Sequence, residues 1–466
     1  MSILKAKDLS KIGYENDQLR SLVIGLASKN FKHYSKENLL NLLTQIIQCP
    51  ENYLKNELTA KIAEKIIGKP EEIPFNTYSL RSSPVPCKIY GSFHIENSAK
   101  SQMELASLLP ISVKGALMPD AHSGFGLPIG GVLATHQAVI PYAVGMDIGC
   151  RMSLSILDET DEFLNRFDYQ MVQALKNHTH FGMEGGLSSK QDHEILSHSL
   201  FNEIPFLKPL RGKAVRQLGS SGSGNHFVEF GSIELFKENA LGLEPKKYSA
   251  LLTHSGSRGL GSAIASHFTH IAMETCKLPK QAQSLAWLDL DQESGQEYWA
   301  CMNLAGDYAK ACHEQIHSNL LRAIGLEALG MVENHHNFAW KDSLPDGSEV
   351  IIHRKGATPA HNGELGIIPG SMTAPAYLVS GKGNLDSLFS ASHGAGRKMS
   401  RQKAKESMTV SSMKKILNNA GVILIGGSVE ENPNAYKDIE GVMNSQKELL
   451  EIQGKFIPKI VRMNKE

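Results

Sequence analysis

Residues 141–152, PYAVGMDIGCRM, set Asp147 three positions before Cys150 in a turn bounded by Gly145 and Gly149, after an apolar, strand-like run. Such a turn can point a carboxylate and a thiolate the same way. Alone the pair says little, because a cysteine in an apolar stretch is more often a small buried hydrophobe. Three further segments change that reading. His226 lies in LGSSGSGNHFVEF, His254 in LLTHSGSRGLG, and His335 and His336 in ENHHNFAW. Each begins or ends a β-like run beside Gly, Ser or Asn, where loops emerge and function concentrates. Together they read as a shared metal centre. Carboxylate, thiolate and imidazole all bind borderline divalent ions, and a thiolate can bridge two; Zn, Mn, Co and Fe all fit. Asn225 and Asn337, next to His226 and His336, are candidates to support the ligands or hold a bound molecule.

A second chemistry is written in SASHGAGRKMSRQKAK, residues 390–405. His393 stands between small residues, open to an approaching phosphorus atom. Neutral imidazole is a competent nucleophile, and a phosphoramidate is transferable. Arg397, four residues on, is placed to stabilise charge on phosphoryl oxygens. Lys398, Arg401, Lys403 and Lys405 suit a second polyanion or a solvated helix face. MPDAHSGFGLPIGG (with Asp120 and His122), GSSGSG, SGSRGLG, IPGSM and HGAGR are glycine-rich loops of the kind whose N–H groups approach anions. No GxxxxGK[ST] occurs, and GSSGSG lacks the strand–turn–helix setting of a dinucleotide fingerprint. Metal-assisted nucleotidyl transfer through a covalent histidine fits these features, with metal-dependent hydrolysis as the alternative.

The elements that must carry these groups follow from periodicity. From about Asn16 to Gly68 the pattern is helical, with Leu39, Leu40, Leu42, Leu43, Ile46 and Ile47 at helical spacing and Ser35 as N-cap. Gly68-Lys69-Pro70 ends it, and EEIPFNTYSLRSSPVPC reads as a linker. Short β-like runs follow: GGVLATHQAVI, YSALLTH, EVIIHRKG and GVILIGG. Two long helical stretches interrupt them, DHEILSHSLFNEI and DQESGQEYWACMNLAGDYAKACHEQIHSNLLRAIG. This alternation predicts one large α/β or α+β domain from about Lys88 onward.

Charge narrows the partners. Lys+Arg and Asp+Glu both number 48 among 466 residues, so any polyanion site must be a local patch. No apolar run approaches the roughly 18–20 residues that span a bilayer, and the N-terminus lacks a signal-peptide core. Six scattered cysteines without CxxC spacing argue against a disulfide framework. A cytoplasmic protein without a membrane partner is expected.

MPDAHSGFGLPIGG, VGMDIGC, GSGNHFVEF, HSGSRGLG, NHHNFA, HRKGAT, IPGSM and HGAGRKMSR occur in the order seen in the RtcB family of RNA ligases, which the chain resembles from about Lys88 to its end. The resemblance implies an α/β (α+β) fold: one large catalytic domain with mixed sheets over residues 88–466, preceded here by a helical arm over residues 1–75. It implies a ligase that joins an RNA 3′-phosphate, or 2′,3′-cyclic phosphate, to a 5′-hydroxyl with GTP and two Mn2+ ions, in RNA repair or tRNA splicing. Asp147, Cys150 and His226 would hold one metal, and Cys150, His254 and His336 the other. His393 would be the guanylylated nucleophile. Asn225, His226, Glu229, His336, Asn337, Pro369, Gly370, Ser371, Met372 and the loop of His393, Gly394, Ala395 and Gly396 would contact the guanine nucleotide. Glu229 suits guanine, whose N1–H and amino group both donate. Lys465 would match the family's lysine near the C-terminus.

Three positions depart from the family pattern: Gly149 replaces an Asn, Pro359 an Arg and Ala376 a Ser. A dinuclear-metal phosphoesterase and a non-catalytic RNA-end-binding paralogue therefore stay open as alternatives. The residues specify neither the RNA partner nor any activating protein.

Overall fold

The computed structural model describes residues 4–14, 16–31, 33–67, 74–182 and 191–465. The chain divides into two compact units, Met1–Pro74 and Phe75–Glu466.

In the first unit the helices Asp17–Asn30, Lys36–Gln48 and Ala60–Ile67 follow a short helix, Ala6–Ser10. The Ser35 side chain accepts from Asn38 N, the expected cap. Leu39, Leu43 and Ile46 are buried with Leu9, Val23 and Ile62 in a core of the unit's own. The break at Gly68-Lys69-Pro70 lies outside the described residues.

The second unit is mixed α/β. Its larger sheet has the order Ala328–His335, Arg151–Thr160, Lys247–Ser255, Phe227–Leu235, Leu450–Met463, Ala376–Gly381 and Leu365–Ile368. These neighbours are antiparallel; Ile423–Ile425 adds to Leu450–Met463 in parallel. The smaller sheet runs Asn337–Ser343, Glu349–Lys355, Ile129–Thr135, Ser112–His122 and Cys87–Ile89. The chain leaves one sheet at His335 and enters the other at Asn337, so His336 is the hinge residue between them. A 32-residue helix, Glu293–Ile324, ends at the left-handed Gly325 and packs on strands of the larger sheet.

Three local expectations are corrected. DHEILSHSLFNEI is not one helix: it forms the 3-10 turn Glu194–Ser197 and the single turn Leu200–Glu203. The His193 and His198 rings accept from Ile195 N and Leu200 N, and such side-chain bonds compete with a continuous helix. The run before Asp147 is a helical turn, Pro141–Val144, opened by proline at its first position. The linker's described part is tied into the second unit. Asn76–Thr77 pairs with Cys276–Lys277, and the Arg81 guanidinium donates to the carbonyls of Leu109, Pro110 and Ser112.

Candidate metal centre and nucleotide cavity

Sheet register gathers the metal-type residues. Cys150 precedes Arg151, which pairs with His335 on one side and Ser255 on the other; His254 pairs with Met152 and with Phe227, the residue after His226. Cys150, His226, His254 and His336 thus converge at one end of four adjacent strands. Their ligand atoms form two groups sharing one sulfur: Cys150 with His254 and His336, and Cys150 with Asp147 and His226. Cys150 Sγ lies 3.2 Å from His254 Nε2 and 3.4 Å from His226 Nε2. His254 Nε2 is 3.3 Å from His336 Nε2, and His226 Nε2 is 3.0 Å from Asp147 Oδ2.

The donor set fits divalent cations. The His254 Nδ1–H donates to Asn225 O at 3.1 Å, which leaves Nε2 as a bare lone pair aimed at sulfur and a second ring nitrogen. Burial holds His254 near 3, and burial with the neighbouring His393 holds His336 well below the usual imidazole range, so both rings are neutral. Burial and then the Asp147 carboxylate push the Cys150 thiol up; a bound cation would offset that cost. Burial opposes ionisation of Asp147, yet its bond to and the charge of His226 hold it below the usual carboxylate range.

Glycines in these loops also allow close backbone approach within the cluster. A Cβ on Gly256 would strike the Asp147 carboxylate, while Ser257 N donates to Asp147 Oδ1 at 3.1 Å. Gly149, at φ +69, explains the first departure. A side chain there would lie 2.8 Å from Gly306 Cα on the long helix.

His393 sits beside this cluster, its ring centroid 4.9 Å from that of His336. It follows the strand Ser390–Ser392, which pairs with Ala357–Pro359; Pro359, the second departure, is aligned there with Ser390. Just before the strand, Leu388 and Phe389 both take positive φ, 53° and 52°. Such a corner is strained for non-glycine residues. Arg354, fully buried, clamps it: its guanidinium donates to Ser390 Oγ at 2.7 Å, Leu388 O at 3.1 Å and Phe389 O at 3.2 Å. Asp120, also fully buried, accepts from His393 Nδ1–H at 2.7 Å and from the backbone N–H groups of His393 and Gly394 at 3.2 and 3.3 Å. Burial would raise the Asp120 carboxyl, but His393, Lys437 and His122 together hold it below its ordinary value. The bond fixes the tautomer in which Nε2 carries the free lone pair.

His393 opens onto a cavity of about 250 Å³. Asn225, Glu229, Pro369, Gly370, Ser371, Met372, His393, Gly394, Ala395, Gly396 and Arg397 line it, as does His254. Glu229 is 5% exposed, and burial alone pushes its carboxyl well above the ordinary range. It faces the cavity as an acceptor that a ligand can satisfy. Ala376, the third departure, forms part of the apolar wall with Phe227 and Val461.

Several expected residues sit elsewhere. Asn337 does not line the cavity: its amide donates to Asp147 O at 3.3 Å and accepts from Gly356 N at 2.8 Å, so it ties the metal loop to the smaller sheet. His335 packs against Phe338 and Trp340, apart from the cluster. Lys465 is exposed and outside the lining. Arg397 lines the cavity wall, and its guanidinium donates to Glu431 at 2.8 Å, Glu430 O at 2.8 Å and Met399 O at 3.2 Å. Arg401, 56% exposed at its side chain, brings the freer guanidinium to the same cavity. Sequence reasoning gave Asp120 and Arg354 no role. The one signal was a carboxylate inside the apolar run GALMPDAH.

The RtcB family model, described as tRNA-splicing ligase RtcB, matches residues 102–204 and 207–463. The RNA-splicing ligase RtcB of Escherichia coli strain K12 is 31% identical over 389 residues, covering 77% of this chain and 92% of that protein. The tRNA-splicing ligase RtcB of Nanoarchaeum equitans is 32% identical over 445 residues, 78% of this chain and 92% of that one. The tRNA-splicing ligase RtcB of Methanococcus maripaludis is 30% identical over 470 residues, at 84% and 95% coverage. With the matched segments spanning most of the second unit, the chain belongs to the RtcB family.

Proposed function

We propose that this protein is a GTP-dependent RNA ligase that joins a 3′-phosphate or 2′,3′-cyclic phosphate end to a 5′-hydroxyl end, in RNA repair or tRNA splicing. The observation that carries the reading is His393: one ring nitrogen bound to buried Asp120, the ring beside the sulfur–imidazole cluster, at the mouth of a cavity that Glu229 lines with no hydrogen-bond partner among the described residues. The relatives' printed names add RNA ligation.

Glu229 accepts from guanine N1–H and the 2-amino group, and the backbone of residues 369–372 and 393–396 encloses the nucleotide. His393 Nε2 attacks the α-phosphorus of GTP, the bond to the β-phosphate oxygen breaks, and pyrophosphate leaves. Asp120 offsets the positive charge that develops on the ring. A 2′,3′-cyclic end is first opened by water, which bonds to phosphorus as the P–O2′ bond breaks and O2′ takes up a proton. An oxygen of the RNA 3′-phosphate then attacks the guanylyl phosphorus, and the P–N bond breaks, returning neutral His393. Finally the 5′-hydroxyl oxygen attacks the 3′-phosphate, its proton is lost, and GMP leaves. Asp147, Cys150 and His226 would hold one Mn2+ and Cys150, His254 and His336 the other; when bound, the ions act as Lewis acids on phosphate oxygens.

Incubation with α-labelled GTP and Mn2+ should give an acid-labile protein–GMP adduct that His393→Ala lacks. An undiminished adduct in the variant would remove the nucleophile. Turnover of phosphorylated RNA by the variant without GTP would favour the phosphoesterase instead.

A further inference from the structure

Phe125 is 74% exposed, at the apex of the loop joining Ser112–His122 to Ile129–Thr135. Both feet of that loop, His122 and Ile129, line the nucleotide cavity. The apex is pinned on all sides. The Gln102 amide accepts from Gly124 N at 3.1 Å and donates to Gly124 O at 2.6 Å. Ser123 gives its N–H and hydroxyl to Glu96 at 2.7 and 2.6 Å, and Phe125 O accepts from the Lys355 ammonium. Exposure alone does not set Phe125 apart, since Phe93 is 82% exposed; its place on a tethered loop whose feet line the cavity does.

The ring has a neighbour of the right kind. Tyr142 lies roughly parallel to it, 19° between planes and 6.2 Å between centroids. Tyr142 belongs to the turn Pro141–Val144, which runs straight into the loop carrying Asp147 and Cys150. The two rings therefore bridge the cavity loop and the metal loop. A cation lies against the second ring: Lys355 Nζ sits 5.1 Å from the Tyr142 ring centroid and also donates to Tyr142 O at 2.9 Å. Aromatic faces beside a positive charge are the combination that holds single-stranded nucleic acid.

We propose that Phe125, backed by Tyr142, is the stacking platform for the terminal base of the single-stranded RNA end delivered to the metal cluster. This rests on the ligase reading above and adds to it a subsite that takes any base, since every base offers a π face. The platform contacts RNA only and has no part in guanylylation.

The test uses short single-stranded RNAs in two series, one ending in a 3′-phosphate and one beginning with a 5′-hydroxyl. In each, the terminal nucleotide carries adenine or is abasic. Affinity is read by fluorescence anisotropy for wild type, Phe125→Ala and Phe125→Trp, and adduct formation from GTP is followed in parallel. In at least one series, loss of the base should weaken wild-type binding about tenfold. It should weaken Phe125→Ala no further, and Phe125→Trp should recover the sensitivity. All three proteins should form the adduct equally. Base-independent binding by wild type in both series, or full base sensitivity in Phe125→Ala, overturns the platform while the adduct still reports on the ligase. Absence of both adduct and RNA binding overturns the ligase reading and the platform with it.

Discussion

The two faces of the strand Lys247–Ser255 hold two histidine clusters that composition cannot tell apart. His254 points to the metal-type face, and Thr253, one residue earlier, to the face covered by the long helix. On the helix side Ser155 Oγ meets His317 Nδ1 at 2.7 Å, His317 Nε2 meets Thr253 Oγ1 at 2.9 Å, and Thr253 Oγ1 meets His313 Nδ1 at 2.6 Å. Hydroxyls join ring to ring, and His313 Nε2 has no hydrogen-bond partner among the described residues. On the other side three imidazoles face a sulfur and one another with no hydroxyl between them. Burial lowers histidines in both places, His317 to about 3 and His254 to about 3. The pKa shift therefore does not tell the two clusters apart; the lack of a joining hydroxyl among the described residues does. One face spends its imidazoles on stability, the other keeps them free.

Removing the shared sulfur breaks this contrast most completely. Cys150→Ala takes a ligand from both groups at once, so bound manganese should fall to background and the GMP adduct should become undetectable, while thermal stability without metal changes little. Metal content by atomic emission, beside a melting curve, checks it. Asp120→Asn comes next. The amide keeps the shape but cannot offset charge on His393, and it allows the wrong tautomer. Single-turnover guanylylation should slow roughly 100- to 10,000-fold with metal content unchanged. A slowing of less than about tenfold would mean that Asp120 only fills space.

The difference between the faces also explains what the chain itself disclosed. The candidate metal-type residues stood out because each abuts Gly, Ser or Asn at the end of a β-like run. The first unit's helices were legible because their apolar period is local. What pairs with what was not legible, since it depends on register between strands distant in sequence. Asp120 lies 273 residues from His393 and carries no spacing signal. The partners of Arg397 were not legible, because Glu430 and Glu431 sit in GGSVEEN, a stretch without chemical pattern. Asn337 beside a ligand histidine looked like a nucleotide contact, and only the geometry reveals that it fastens the Asp147 loop.

Glu229 extends the comparison to a carboxylate kept without a partner. Its ordinary value is 4.5 and burial raises it in the fold, so the folded state holds the proton more tightly than the unfolded chain. An acid shifted upward opposes folding as pH rises above the unfolded value. Glu229→Gln should therefore melt higher than wild type at neutral pH, by about 1–3 kcal/mol, with the gap closing as pH falls toward 4.5. Gln offers one acceptor oxygen to guanine's two donors, so preference for GTP over ATP should shrink about tenfold or more. Nucleotide binding by wild type should release a proton and tighten as pH rises, seen as a buffer-dependent binding enthalpy. A variant no more stable than wild type would show that Glu229 has a partner in the free protein.

The smallest effect on chemistry, and the sharpest test of separateness, is expected from Thr253→Val. The substitution keeps the volume and deletes the hydroxyl that joins His313 to His317, stranding two buried ring nitrogens. Stability should drop by about 2–3 kcal/mol. Manganese content and the guanylylation rate should stay within about twofold of wild type, because His254 faces the other way and its Nδ1–H remains bound to Asn225 O. If the hydroxyl network instead sets the position of His254, metal affinity will fall along with stability. Removing the His317 bond alone by Ser155→Ala distinguishes the two cases: its partner ring lies beyond Thr253, so a loss of metal there would show that the strain crosses the strand, and retention would confine it to the helix side.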